Sequence, residues 1–191
     1  MNINLEGYKS SPAFEAALTY IYLLHAHGIT AVIHGGFLRD LVLGKEYNDI
    51  DIAIGYIDSE RVQQILELDA KTLRAASSEY ANHARYVCDW KKTIQVSDRE
   101  VDINIIAWDD TSYGEWCKEE VAAGCDWGLS QISYDVGGLH ISENFIADVI
   151  NEHWTLYRDD NEARSYKRYH RLKEKYPWPI NHGVTEKQEP F

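Results

Sequence analysis

Asp49-Ile50-Asp51 is the stretch of this sequence where residue type and spacing first amount to chemistry. It heads a run, Asp49 to Ile54, whose opening residues alternate polar and apolar, as on a half-buried strand. Residues two apart on a strand share a face, with Cα atoms roughly 6.5–7 Å apart. Asp49 and Asp51 therefore point to one place, while Ile50 and Ile52 point into a core. Two neighbouring carboxylates repel each other unless a cation or a proton lies between them. At neutral pH a hard divalent ion, Mg2+ or Mn2+, suits such oxygen ligands.

Taken alone, Asp-Ile-Asp also describes the wet edge of a strand. What lies just upstream shifts the balance: His34-Gly35-Gly36-Phe37-Leu38-Arg39-Asp40. Thr30 to Ile33 reads as a short buried strand, and the two glycines break it where a backbone must turn and approach a ligand closely. Phe37 to Leu43 has helical spacing, so Gly35-Gly36 opens a helix whose first amides face outward, a natural seat for phosphate. Downstream, Glu100 to Ile106 alternates, with Asp102 between Val101 and Ile103. Phosphoryl transfer with two metals calls for a third carboxylate opposite the pair, and Asp102 fits better than its rival Glu100. A surface aspartate on an edge strand is the plainer alternative.

In this order and spacing, Gly-Gly-x-x-Arg-Asp followed by Asp-x-Asp resembles the signature of the nucleotidyltransferase superfamily. The closest likeness is to the head domain of tRNA CCA-adding enzymes and bacterial poly(A) polymerases. The resemblance runs over roughly Thr30 to Lys175 and is strongest in these first two motifs. It implies an α/β fold, a small mixed sheet of four or five strands with helices packed on one side. In the roles so implied, Asp49, Asp51 and Asp102 are catalytic and hold Mg2+ or Mn2+, and Asp102 can accept a hydroxyl proton. Gly35, Gly36 and Arg39 hold the β- and γ-phosphates of a nucleoside triphosphate, ATP or CTP, while Asp40 orients Arg39. Lys45 is a secondary phosphate contact. Asp126-Trp127 resembles the family's Asp-Phe, which orients the nucleotide; Gly124-Cys125 stands where the family has an arginine pair. Asp126 equally fits a helix N-cap.

A final helix, 159–176, carries Arg164, Lys167, Arg168, Arg171 and Lys175 three or four residues apart. Such a stripe is either a solvated face or a binding surface for triphosphate or an acceptor's phosphates. The family places an acidic pair and an arginine in a comparable helix to read the incoming base. Asp160-Asn161-Glu162-Ala163-Arg164 is a loose version of it, so Arg164 and Lys167 join the nucleotide-binding candidates.

The elements that must position these residues read as follows. Pro12 to Leu24 is a helix capped near Ser11 and ending by Gly28, with His25 and His27 as carbonyl-capping residues. Residues 58–76 read as a covering helix with Val62, Ile65, Leu66 and Leu73 as its stripe, and 77–84 as irregular. Strands are expected at 85–90 and 93–96, a helix at 112–123, and a link through 145–156. A chain of 191 residues is then one head-like domain over 1–176 with a loose tail at 177–191.

The apolar share of 45% is enough for a core, and no run reaches membrane-spanning length or has the form of a leader. Three cysteines without a C-x-x-C pattern point to a reducing, cytoplasmic setting rather than a disulfide framework. A net charge of −12 does not suit a broad nucleic-acid-binding face. The activity expected is transfer of a nucleoside monophosphate to a hydroxyl, foremost an RNA 3′ end contacted through the local basic helix. Small-molecule or protein acceptors are the alternative, and a non-catalytic nucleotide-binding module is the competing class.

Overall fold

The computed structural model describes residue 4 and residues 7–75, 86–109, 116–158 and 162–181. The glycine break does what the sequence demands of it. β1 (Ala31–His34) ends at Gly35, whose φ of 71° is open to glycine and strained for other residues, and α2 (Gly36–Val42) begins at once. β2 (Asp49–Gly55) returns antiparallel to β1, with Ile33 opposite Ile52 and His34 opposite Asp51.

On the other side of β2 lies β5 (Arg99–Trp108), parallel to it, which sets Asp49 opposite Asp102 and Asp51 opposite Asn104. β4 (Tyr86–Val96) forms a hairpin with β5, and β3 (Leu73–Ala75) closes that edge. At the other edge β6 (Ile132–Asp135) pairs with β1, and β7 (Gly138–Ile141) pairs with β6. The result is a seven-stranded mixed sheet in the order β3-β4-β5-β2-β1-β6-β7.

The pleat sorts the two faces. Ile33, Ile50, Ile52, Ile54, Ile103 and Ile105 are fully buried under α1 (Pro12–Ala26) and α2, with Phe14, Ile21, Leu24, Phe37 and Leu38. The alternate residues Val32 and Ala53 pack with Trp108 and with Val121 of α4 (Lys118–Ala123) on the opposite face. That opposite face carries Asp49 and Asp51 further along β2.

Several expectations change. The sheet has seven strands rather than four or five, because the β6–β7 hairpin and β3 were not foreseen. The helix expected over 58–76 stops early: α3 spans Ser59–Ile65, Glu67 takes a φ of 50°, and Leu73 lies in β3 with 45% exposure. The two short strands at 85–90 and 93–96 are one strand, and the link at 145–149 is a helix, α5 (Glu143–Asn151), capped by Ser142. The irregular segment at 77–84 and the start of the 112–123 helix lie outside the described residues.

The last helix, α6 (Glu162–Leu172), docks through aromatic rings. Trp127 and Trp154, both fully buried, meet edge-on at 5.8 Å and surround Tyr169, and Tyr176 extends the cluster to Trp178. Pro177 to Asn181 is therefore not loose, as a flexible tail from 177 would require. Trp178 is 6% exposed, Trp154 donates its backbone N–H to the Pro179 carbonyl, and Asn181 donates to the Trp154 carbonyl. Residues 182–191 lie outside the described residues. Trp154→Ala is expected to lower unfolding free energy by about 3–5 kcal/mol, measured by urea denaturation, because it empties the seat of α6.

Candidate functional site

Asp49 and Asp51 lie on the floor of a cleft of 540 Å³ between the sheet face and α6. Both are held between β1 and β5, and burial pushes both carboxyls above the usual range. For Asp49 the charge of Asp51 adds to the rise. One side chain mediates between them. Asn104, two residues past Asp102 on the same face of β5, donates its amide to Asp51 Oδ1 at 2.9 Å and to Asp49 Oδ2 at 3.2 Å. The sequence reading passed over Asn104, although alternation along β5 already placed it on the same face as Asp102.

Asp102 lines the cleft but does not complete a three-carboxylate cluster. Lys91 reaches it at 2.6 Å and the Thr93 hydroxyl donates to it at 2.7 Å, both from the same face of β4. That pairing holds Asp102 at the rim. Among the described residues no three histidine, cysteine or acidic side chains converge to hold a metal ion. The donors present that would suit a hard divalent ion are the Asp49–Asp51 pair.

The wall beside the floor is the glycine turn. Gly35, Gly36 and Phe37 line the cleft with Arg39, itself 3% exposed. A Cβ on Gly36 would sit 3.4 Å from the Arg39 guanidinium, an ordinary contact, so the turn's demand for glycine falls on Gly35 with its positive φ. Asp40 anchors this wall: it accepts from Arg39 Nε, from Lys175 Nζ and from the Tyr176 hydroxyl, each at 2.7 Å. Arg39 also stacks on the Tyr176 ring at 5.1 Å. Lys45 is not among the residues that line the cleft.

The facing wall is cationic. Arg164, Arg168, Arg171 and Lys175 project from one side of α6 and its C-terminal turn into the cleft, joined by Arg158. Lys167 does not belong to this row. It lies about 60° round the helix from Arg164, is exposed, and does not line the cleft. Asp126 is no N-cap of the turn at Gly128–Ser130, whose cap position is Trp127. Its carboxylate instead pairs with Arg168, accepts from the Ser165 hydroxyl at 2.8 Å and accepts from the Trp127 amide at 3.1 Å. Burial alone would raise the Asp126 carboxyl, but Arg168 and these hydrogen bonds outweigh it and hold it below the usual range.

At Gly124 a Cβ would meet the Trp108 ring at 2.9 Å, so the backbone leaves no room there for a longer side chain. Burial pushes the neighbouring Cys125 thiol up to about 12. The positive charge of this wall comes from α6 instead. Two further cleft residues escaped the sequence reading. Asp89, 5% exposed, accepts from the Tyr86 hydroxyl. His34, 7% exposed, has neither ring nitrogen hydrogen-bonded among the described residues. Burial, reinforced by Arg168, lowers the His34 pKa to about 4, so the imidazole is uncharged at neutral pH.

Comparison with known proteins gives this geometry its context. The family model of the poly A polymerase head domain matches residues 31–112, which hold the glycine turn, the aspartate pair and Asp102. The matched stretch is less than half of the chain. A CCA-adding enzyme of Geobacillus kaustophilus is 38% identical over 66 residues, covering 35% of this chain and 15% of that enzyme. The Thermotoga maritima CCA-adding enzyme complexed with tRNA superposes with a TM-score of 0.61 at 13% identity, over 96% of this chain and 44% of that one. A CCA-adding enzyme in complex with CTP gives 0.62 at 14% identity, over 89% of this chain and 40% of that one. This chain thus spans less than half the length of these relatives, and the structural likeness speaks for the nucleotidyltransferase fold.

Because the Asp126 carboxyl is held below its ordinary range, its ion pair stabilises the fold above the unfolded pKa and is lost as pH falls through the folded one. Asp126→Asn should therefore destabilise by about 2 kcal/mol at pH 7. In thermal melts across pH, the gap to wild type should close below about pH 4.

Proposed function

We propose that this protein transfers a nucleoside monophosphate from a nucleoside triphosphate to a hydroxyl, foremost the 3′ end of an RNA. The observation that carries the proposal is the opposition of charges across one cleft. A desolvated aspartate pair on the floor faces a row of arginines on α6, and a glycine turn closes the side. This arrangement suits a triphosphate, whose metal-bound face needs carboxylates and whose outer oxygens need cations.

Asp49 and Asp51 would hold Mg2+ or Mn2+, which when bound neutralises phosphate charge and makes the attacking hydroxyl more acidic. The chain's own residues do the positioning. Gly35, Gly36 and Arg39 seat the β- and γ-phosphates. Arg164, Arg168 and Arg171 offset the charge gathering on the leaving pyrophosphate, and Asp126 keeps Arg168 on the cleft side of α6. The acceptor oxygen bonds to the α-phosphorus, the bond to the β-phosphate oxygen breaks, and the hydroxyl proton passes to Asp102 at the rim. An RNA acceptor is supported by the CCA-adding relatives and by the local cationic wall in a chain of net charge −12.

The test is a transfer assay with each labelled nucleoside triphosphate, Mg2+ or Mn2+, and total RNA, run beside Asp51→Ala. The expected result is label in RNA with wild type and roughly a hundred- to thousandfold less with the variant, on the order of losing a main electrostatic group of the site. Label on a small molecule or on protein would redirect the acceptor. No transfer to any acceptor would overturn the enzymatic reading.

A further inference from the structure

Among the described residues that line the cleft, His34 alone has buried side-chain nitrogen or oxygen atoms without a hydrogen-bond partner. Asp51 is bridged by Asn104, Asp126 by Arg168 and Ser165, Asp40 by Arg39 and Lys175, and Ser133 donates to the Lys118 carbonyl. His34 is 7% exposed and lines the cleft, and both its ring nitrogens are buried without a hydrogen-bond partner among the described residues. An unpaired buried polar group costs stability, and the fold keeps this one where a ligand would come.

Its place is defined on three sides. On β1 it is opposite Asp51, and directly opposed residues on one face have Cβ atoms roughly 4.5–5.5 Å apart. Its ring meets the edge of Trp108 at a centroid distance of 5.3 Å, and Ile106 lies on the same face. Arg168 acts on it from the opposite wall.

We infer that His34 is a substrate-contacting residue whose imidazole hydrogen-bonds a hydroxyl brought beside Asp51, either a sugar hydroxyl of the incoming nucleotide or the attacking hydroxyl of the acceptor. The inference rests on the nucleotidyltransferase reading of the cleft. A histidine ring offers an N–H in any protonation state, and a hydroxyl can satisfy either of its nitrogens. A phosphate oxygen only accepts, so it can pair with a ring N–H alone, whereas a hydroxyl can donate or accept. Phosphates also have better partners in the arginines of α6. The apolar flank made by Trp108 and Ile106 suits a sugar ring more than a polyanion.

The experiment measures binding and turnover for wild type, His34→Leu and His34→Gln, each first checked for a cooperative melt. Binding is followed calorimetrically in Mg2+ with whichever ribonucleoside triphosphate binds best, and with its 2′-deoxy and 3′-deoxy counterparts. If the contact is to the nucleotide sugar, wild type prefers the ribonucleotide over one deoxy form by roughly three- to tenfold. His34→Leu then loses that preference while keeping its affinity for the deoxy form, and His34→Gln restores part of it.

If the contact is to the acceptor, nucleotide binding is unchanged in His34→Leu, and the KM for the acceptor rises by a similar factor, again relieved by Gln. A uniform loss of affinity for all three nucleotides would overturn the inference in favour of a phosphate contact. Unchanged binding together with unchanged KM would assign His34 to packing alone. Failure of wild type to bind any triphosphate would instead remove the nucleotidyltransferase reading itself.

Discussion

Two like charges on alternate residues of one strand, with a third facing the first from the next strand, set the terms for the rest of this structure. The pleat gives Asp49 and Asp51 no choice of face, because Ile50 and Ile52 are wholly buried on the other side. Parallel pairing with β5 then brings Asp102 opposite Asp49 and Asn104 opposite Asp51. The structure relieves the repulsion in two ways. Asn104 places an amide between the pair, and Lys91 draws Asp102 toward the rim. What remains is a pair of carboxyls that holds protons more readily than usual and is suited to a cation.

The same constraint explains the opposite wall. An acidic chain presents cations to this cleft from the end of the chain, on α6, and has to hold that helix in place. Asp40 does so at one end through Lys175 and Tyr176, while Asp126 does so in the middle through Ser165 and Arg168. Beneath them the Trp127–Trp154–Tyr169 cluster supplies the apolar seat. Asp40 and Asp126 thus act on the site mainly through the cations they hold. No helix among the described residues is long and apolar enough to cross a membrane.

Local patterns carried much of this in the sequence. The strand–glycine–helix turn at 31–42 and the alternation through Asp49 were legible because each depends on neighbours in the chain. Pairing between distant strands was not. Alternation along β5 placed Asn104 and Asp102 on one face equally, and only the register shows that Asn104 bridges the pair while Asp102 turns to Lys91. The β6–β7 hairpin was missed because its four-residue strands mix polar with apolar residues, whereas the equally short β1 opens on an apolar run, Ala31 to Ile33, beside a glycine break. Lys167 joined the basic stripe on spacing alone, but the three- and four-residue steps back to Arg164 and on to Arg171 leave it to one side of the row.

The central claim is that Asp49 and Asp51 form a mutually repelling, desolvated pair that a divalent cation relieves. The most direct measurement is the melting temperature of metal-stripped protein at pH 7, with and without Mn2+, for wild type and for a double Asp49→Asn, Asp51→Asn variant. The account predicts that the variant melts above wild type without metal, and that Mn2+ raises the wild-type temperature alone. A variant that melts below wild type, or that keeps the full Mn2+ shift, would contradict it.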